Sequence, residues 1–128
     1  MSALAQPNTA SYPEQLKIIK ANMGRLAANQ SQTMAAFSSL HEAAATPGAL
    51  DFKTKELIAL AIAVSLRCDG CIAFHTHDAL DAGATCDEIM EALGVAVMMG
   101  GGPSVIYSTH VVEALEQFEA CNPRLSPE

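Results

Sequence analysis

The segment FKTKELIALAIAVSLR, residues 52–67, turns apolar nearly all the way round after Glu56. A helix without a polar stripe has no face to give to water, so it must lie at the centre of its domain. At 128 residues the chain has the length for one such centre and not two. The rest of the fold is thereby constrained to wrap this helix, which Asp51 is placed to cap.

Upstream, residues 1–11 mix Pro, Asn, Thr and Ser without an apolar period and read as a flexible arm. A first helix is predicted from Tyr12, with Pro13 at its start behind Ser11 and Leu16, Ile19, Met23 and Leu26 on one face. A second is predicted from about Ser31 to Ala45, with Met34, Phe37, Leu40 and Ala44 turned inward, before TPGALD breaks it. Downstream, DALDAGATCDEIMEALGVAVMM contains a helix stop at Gly83 and then Thr85 and Glu88 at capping-box spacing, which makes a helical hairpin. GGGP ends the second arm of that hairpin, and Pro103 opens a last helix through about Phe118. No segment alternates as a strand would. The predicted class is all-α, five to six helices in one domain over residues 12–120, with a polar tail at 121–128.

Composition narrows the setting. Hydrophobic residues make up 50% of the chain and charged residues only 16%, too few charges to cover so small a globule. A homo-oligomer that hides apolar faces between subunits is expected. The apolar runs Leu57 to Val64 and Leu93 to Met99 fall short of the roughly 20 residues a membrane span requires. No basic segment precedes an apolar one at the N-terminus, so a cytoplasmic location is expected. A net charge of −7 repels phosphate backbones and argues against nucleic acid as a partner.

The chemistry concentrates in RCDGCIAFHTHDALDAGA, residues 67–84. With Asp69 as the expected cap of the next helix, Cys71 falls in its first turn, where free N–H groups and the helix dipole favour a thiolate. The Asp69 carboxylate, expected near both sulfurs, opposes that effect. His75 lies one turn beyond Cys71 on the same face and can accept its proton. A disulfide from Cys68 to Cys71 is accessible if Cys68 sits at the helix start. Glu56, where the central helix becomes apolar, needs a partner such as His75, which suggests a relay from Glu56 through His75 to a thiol. Two other readings stay open: a zinc site of Cys68, Cys71, His75 and Glu56, or two buried thiols that merely pack. His77 is expected at the surface, and His41 and His110 have no chemical neighbour in sequence. Cys86 and Cys121 are expected to be single thiols in packing or surface roles, and Met90, Met98 and Met99 to lie in the core or at an interface.

Glu56, eleven further residues, CDGC, His75 four positions on, and then GATCDEIMEALGVAVMMGGGP together resemble the carboxymuconolactone decarboxylase superfamily, and within it the alkyl hydroperoxidase D-like branch. The resemblance spans about residues 31–118. It implies a small all-helical protein assembling as trimers or hexamers, with a thiol-dependent peroxidase or disulfide oxidoreductase site. Carried over by position, Cys71 is the peroxide-attacking thiol, Cys68 the resolving thiol, and His75 with Glu56 the proton relay. The substrate would be a hydroperoxide or disulfide and the reductant a dihydrolipoyl or other thiol protein, with no metal or organic cofactor required. Members of that branch carry a further histidine between the cysteines, where this chain has Gly70, and this chain is similar to the single-repeat relatives. The competing classes are an acid/base enzyme acting on a lactone or other carbonyl compound, and a metal-binding or purely structural oligomeric module.

Overall fold

The computed structural model describes residues 9–121; the outer parts of the expected arm and tail, 1–8 and 122–128, lie outside the described residues. Within them the chain forms α1 (Tyr12–Asn29), α2 (Ser31–Ala45), α3 (Phe52–Ser65), α4 (Asp69–Asp81), α5 (Cys86–Gly100) and α6 (Gly102–Gln117), and no strand.

Local chemistry sets the helix ends. Ser11 caps α1 by accepting the Glu14 N–H, and Asp51 caps α3 by accepting the Thr54 N–H at 2.7 Å. Thr85 and Glu88 form the reciprocal capping box that starts α5. Three helices close with paired backbone bonds that reverse the chain. At the end of α3 the Arg67 N–H reaches the Val64 carbonyl at 3.0 Å and the Cys68 N–H reaches the Ala63 carbonyl at 3.1 Å. Arg67 takes a left-handed φ of 57° to make that turn, a conformation that costs a side-chain-bearing residue about 1 kcal/mol. The turn thus fixes where Cys68 begins the next helix.

The core gathers Leu60, Ala63 and Val64 of α3, Ile72, Ala73 and Ala79 of α4, Ile89, Leu93 and Ala96 of α5, and Val111, Ala114 and Leu115 of α6. Leu60, Ile72, Ile89 and Leu115 are fully enclosed, each contributing roughly 2 kcal/mol by leaving water. α3 and α4 pack against each other, and Glu56 and His75 meet across them. At the α5–α6 turn a Cβ on Gly100 would overlap the Ser104 Oγ, and Gly101 has φ 68°, so this corner needs its glycines.

Two expectations on burial change. α2 has the predicted bounds but buries none of its residues; Phe37 and Leu40 are exposed and Met34 is half-buried. The reason is that α2 borders α1 and only the edge of α3, so its apolar side chains form a wall and not a core. α3 is central but not enclosed: Ile58, Ile62 and Leu66, at helical spacing, are exposed. Val95, Met98 and Met99 of α5 and Val105 and Ile106 of α6 are exposed as well. Met90, Met98 and Met99 are therefore surface residues and not core. Among the described residues no helix is long and apolar enough to cross a membrane.

Candidate active site

Cys68 occupies the boundary between α3 and α4. It receives the reversed chain from Arg67 and is the N-cap of α4, with its Sγ accepting the Cys71 N–H at 3.2 Å. That is a correction: Asp69, expected as the cap, is the first residue of the helix proper. Its carboxylate has other partners, since Asp69 Oδ1 accepts the Tyr12 hydroxyl at 2.9 Å and the His110 Nδ1–H at 2.7 Å. A cap sulfur and a first-turn sulfur lie close by construction, and Cys68 and Cys71 are joined as a disulfide with Cα atoms 5.2 Å apart. On reduction, Cys71 would lie in the first turn of α4, against the positive end of the dipole.

Glu56, in the second turn of α3, and His75, in the second turn of α4, meet across the helix pair. His75 Nδ1 lies 2.7 Å from Glu56 Oε2, and Glu56 is only 3% exposed. An ionised carboxylate can only accept, so the Nδ1 carries the proton and Nε2 is left as the basic nitrogen. This is the partner that a carboxylate buried on an apolar helix requires.

Both cysteines and His75 open on one cavity of about 520 Å³. Its walls are largely apolar: Ile19 and Met23 of α1, Met34 and Phe37 of α2, and Phe74 of α4. His41, Ser38 and Asp78 supply the polar part of the lining. His41 reaches the site although nothing near it in sequence marks it, because α2 supplies one wall of the cavity and α4 another. Gly70 is also in the lining, and a Cβ there would stand 3.0 Å from the Ile19 Cδ1, so α1 leaves little room for a larger residue between the cysteines.

The metal-ligand set weighed from sequence is not assembled. Among the described residues the potential ligand atoms that come within 4.8 Å of one another belong to Glu56, His75 and Asp78, without either cysteine. Asp78 also pairs with His77, at 3.0 Å from the His77 Nδ1.

Cys86 and Cys121 are not single thiols. They form a second disulfide with Cα atoms 6.5 Å apart, joining the first residue of α5 to the chain just beyond α6. The end of α6 reverses through Glu119, at φ 58°, and so carries Cys121 back to the core beside Cys86. His110, likewise assigned no neighbour, is bonded to Asp69 and packs tilted against Tyr107 with ring centroids 4.6 Å apart. Burial, and then the hydrogen bond to Asp69, push the Tyr12 phenol well above its usual range.

The matches to known proteins follow the same helices. The model of the carboxymuconolactone decarboxylase family matches residues 31–114. An uncharacterized protein of Cupriavidus necator is 39% identical over 114 residues, covering 89% of this chain and 98% of its own length. A carboxymuconolactone decarboxylase family protein of Legionella pneumophila, solved in its apo form, superposes with a TM-score of 0.81 at 45% identity, covering 84% of this chain and 96% of that one. A family protein of Thermotoga maritima, for which a part in an antioxidative response has been suggested, superposes with a TM-score of 0.75 at 31% identity, covering 82% of this chain and 90% of its own. The helix pair that brings Glu56 to His75 and sets a cysteine pair at the head of α4 thus lies within the matched segment, and the chain belongs to the carboxymuconolactone decarboxylase family.

Proposed function

We propose that this protein is a thiol-dependent peroxidase or disulfide oxidoreductase of the alkyl hydroperoxidase D-like kind. The observation that carries this reading is the Cys68–Cys71 disulfide opening on the same cavity as His75, whose imidazole is bonded to the buried Glu56. In the reduced protein His75 Nε2 takes the Cys71 proton, and Glu56 stabilises the imidazolium that results. The Cys71 thiolate attacks the terminal oxygen of a hydroperoxide, the O–O bond breaks, and the departing alkoxide leaves as an alcohol with a proton returned by His75. Cys71 is left as a sulfenic acid. The Cys68 thiol then attacks that sulfur and releases water, giving the disulfide. A dithiol, such as a dihydrolipoyl group on a partner protein, exchanges with the disulfide and restores both thiols.

The apolar walls of the cavity support an organic hydroperoxide or organic disulfide as the species that enters. The exposed row of Ile58, Ile62 and Leu66 on α3, together with the exposed Met98 and Met99 of α5, supports assembly as a homo-trimer or homo-hexamer. The test is a thiol count and intact mass on protein reduced at both pairs, before and after one equivalent of cumene hydroperoxide. Rapid loss of two thiols that map to Cys68 and Cys71, abolished in Cys71→Ser, is the expected result. Full consumption of the peroxide by Cys71→Ser, or loss confined to Cys86 and Cys121, would overturn it.

A further inference from the structure

The first turn of α4 borders a second cavity, polar and of about 300 Å³, which neither cysteine lines. Its walls come from α1, α4 and α6, with Tyr12, Asp69, His110 and Glu113 as the titratable members. One atom organises it. Asp69 Oδ1 accepts both the Tyr12 hydroxyl at 2.9 Å and the His110 Nδ1–H at 2.7 Å. Tyr12 is itself fixed, because it is buried and its N–H donates to the Gln117 Oε1 at 2.6 Å.

Asp69 is the neighbour of Cys68 and stands two residues before Cys71, so a full negative charge is held within the turn that carries both sulfurs. A fixed like charge opposes formation of a thiolate. Of its two partners, Tyr12 is neutral throughout the working pH range and anchors without compensating. His110 is the partner that can carry a compensating positive charge. The groups that face His110 are Asp69 from α4, Tyr12 from α1, and Tyr107 and Glu113 on its own helix; Gln15 and Gln117 beside them are uncharged.

We infer that Asp69 and His110 are positioning residues that set how readily Cys71 ionises, through a charge cluster on α1, α4 and α6 separate from the Glu56–His75 pair. With His110 protonated, the Asp69 charge is cancelled and the Cys71 thiolate is favoured. With His110 neutral, the Asp69 charge is uncompensated and opposes that ionisation. The inference rests on the reading of Cys71 as the reactive thiol, but it does not depend on which oxidant that thiol meets.

The test is the rate of Cys71 alkylation by iodoacetamide in the fully reduced chain, followed by peptide mass mapping from pH 5 to 9, with no peroxide present. Asp69→Asn should react about three- to tenfold faster than wild type at pH 7. His110→Gln, which leaves the aspartate without a cation, should react more slowly than wild type at pH 6. Tyr12→Phe removes the neutral hydrogen bond alone, so its profile should match wild type even where its melting temperature falls. Equal or slower alkylation in Asp69→Asn, or alkylation at the wild-type rate in His110→Gln, overturns the inference. Failure of the peroxidase reading would show separately, in the hydroperoxide assay.

Discussion

Glu56 Oε2 and His75 Nδ1 are 2.7 Å apart across the α3–α4 pair, with the carboxylate buried and the imidazole at the edge of the cavity. The arrangement fixes the tautomer of His75, with Nδ1–H donating to Glu56 and Nε2 left free. Glu56→Gln keeps the shape and a hydrogen-bonding group but removes the charge that stabilises the imidazolium. The expected outcome is a loss of about ten- to a hundredfold in the rate of Cys71 oxidation by an organic hydroperoxide, with the fold retained. Stopped-flow fluorescence or thiol quenching under single-turnover conditions checks it; a rate within twofold of wild type would remove Glu56 from the relay. His75→Ala should be worse for the fold than Glu56→Gln, because it strands a buried carboxylate, at a cost of about 3–5 kcal/mol in denaturant unfolding.

Much of this site could be read from the chain, for physical reasons that differ by residue. Glu56 stood out because a carboxylate on an otherwise apolar helix must find a partner, and His75 was placed by its one-turn spacing from Cys71. The Thr85–Glu88 capping box and the stop at Gly83 are local, so their outcome was contained in a few residues. His110 and Asp69, 41 positions apart, meet only because α6 returns along α4. Cys86 and Cys121 are brought together by the reversal at Glu119, where a left-handed residue that is not glycine gave no signal. The apolar periodicity of α2 marked a face correctly, but periodicity alone does not say whether a face meets a core, a cavity or another subunit.

The second disulfide closes a loop with a sequence separation of 35 residues around α5 and α6. Chain-entropy arguments give such a closure about 3–4 kcal/mol of stabilisation through the unfolded state. Cys121→Ser should lower the unfolding free energy by up to that amount under non-reducing conditions while leaving the Cys68–Cys71 exchange with dithiols unchanged. Guanidinium titrations of the two forms, with and without reductant, check it. Equal midpoints in the absence of reductant would show that the pair contributes nothing to the fold.

Charge at the surface sets opposite pH limbs of stability. The Lys53 ammonium, 2.8 Å away, and then the Thr85 backbone hold the Glu88 carboxyl below its usual range, and hydrogen bonds from Thr54 do the same for Asp51. A depressed carboxyl contributes fully above the ordinary carboxylate pKa, and that contribution is lost as pH falls through the depressed one. Lys53, raised by Glu88, and Tyr12, raised by burial, behave in the other sense: they contribute fully below their ordinary pKa values and lose that as pH rises through the raised ones. Melting temperature should hold a plateau near neutrality and fall below about pH 4 and above about pH 10. Glu88→Gln should flatten the acid limb and Tyr12→Phe the alkaline one; limbs of unchanged slope would place the titrating groups elsewhere.

Gly70 is the second residue of α4, and replacing a glycine by alanine in a helix gains up to about 0.5–1 kcal/mol. Here the new methyl would stand 3.0 Å from the Ile19 Cδ1, so the side chain of α1 has to give way. Gly70→Ala should therefore gain little or nothing alone, and the full gain should appear only with Ile19→Val, which removes that methyl. A double-mutant cycle on unfolding free energy checks the coupling. Additive effects would show that α1 does not restrict the residue between the cysteines, and the absence of a histidine at this position would then need a cause other than space.

The exposed row on α3 offers the sharpest test of assembly. Ile58, Ile62 and Leu66 project from the same helix whose other face supplies Leu60 and Val64 to the core, so a charge at the row can be introduced without touching the core. Ile62, at 52% exposure, is the central member. In a monomer Ile62→Glu should be neutral or mildly favourable, because it takes an apolar side chain out of water contact and leaves a helix former in place. In a trimer or hexamer built on this face the same change buries an unpaired carboxylate in each interface, which subunit association cannot absorb. Light scattering behind size exclusion should show a multiple of the 13.4 kDa chain for wild type and a single chain for Ile62→Glu. A wild-type monomer, or a variant that keeps the wild-type mass, would place the interface on another face or remove it.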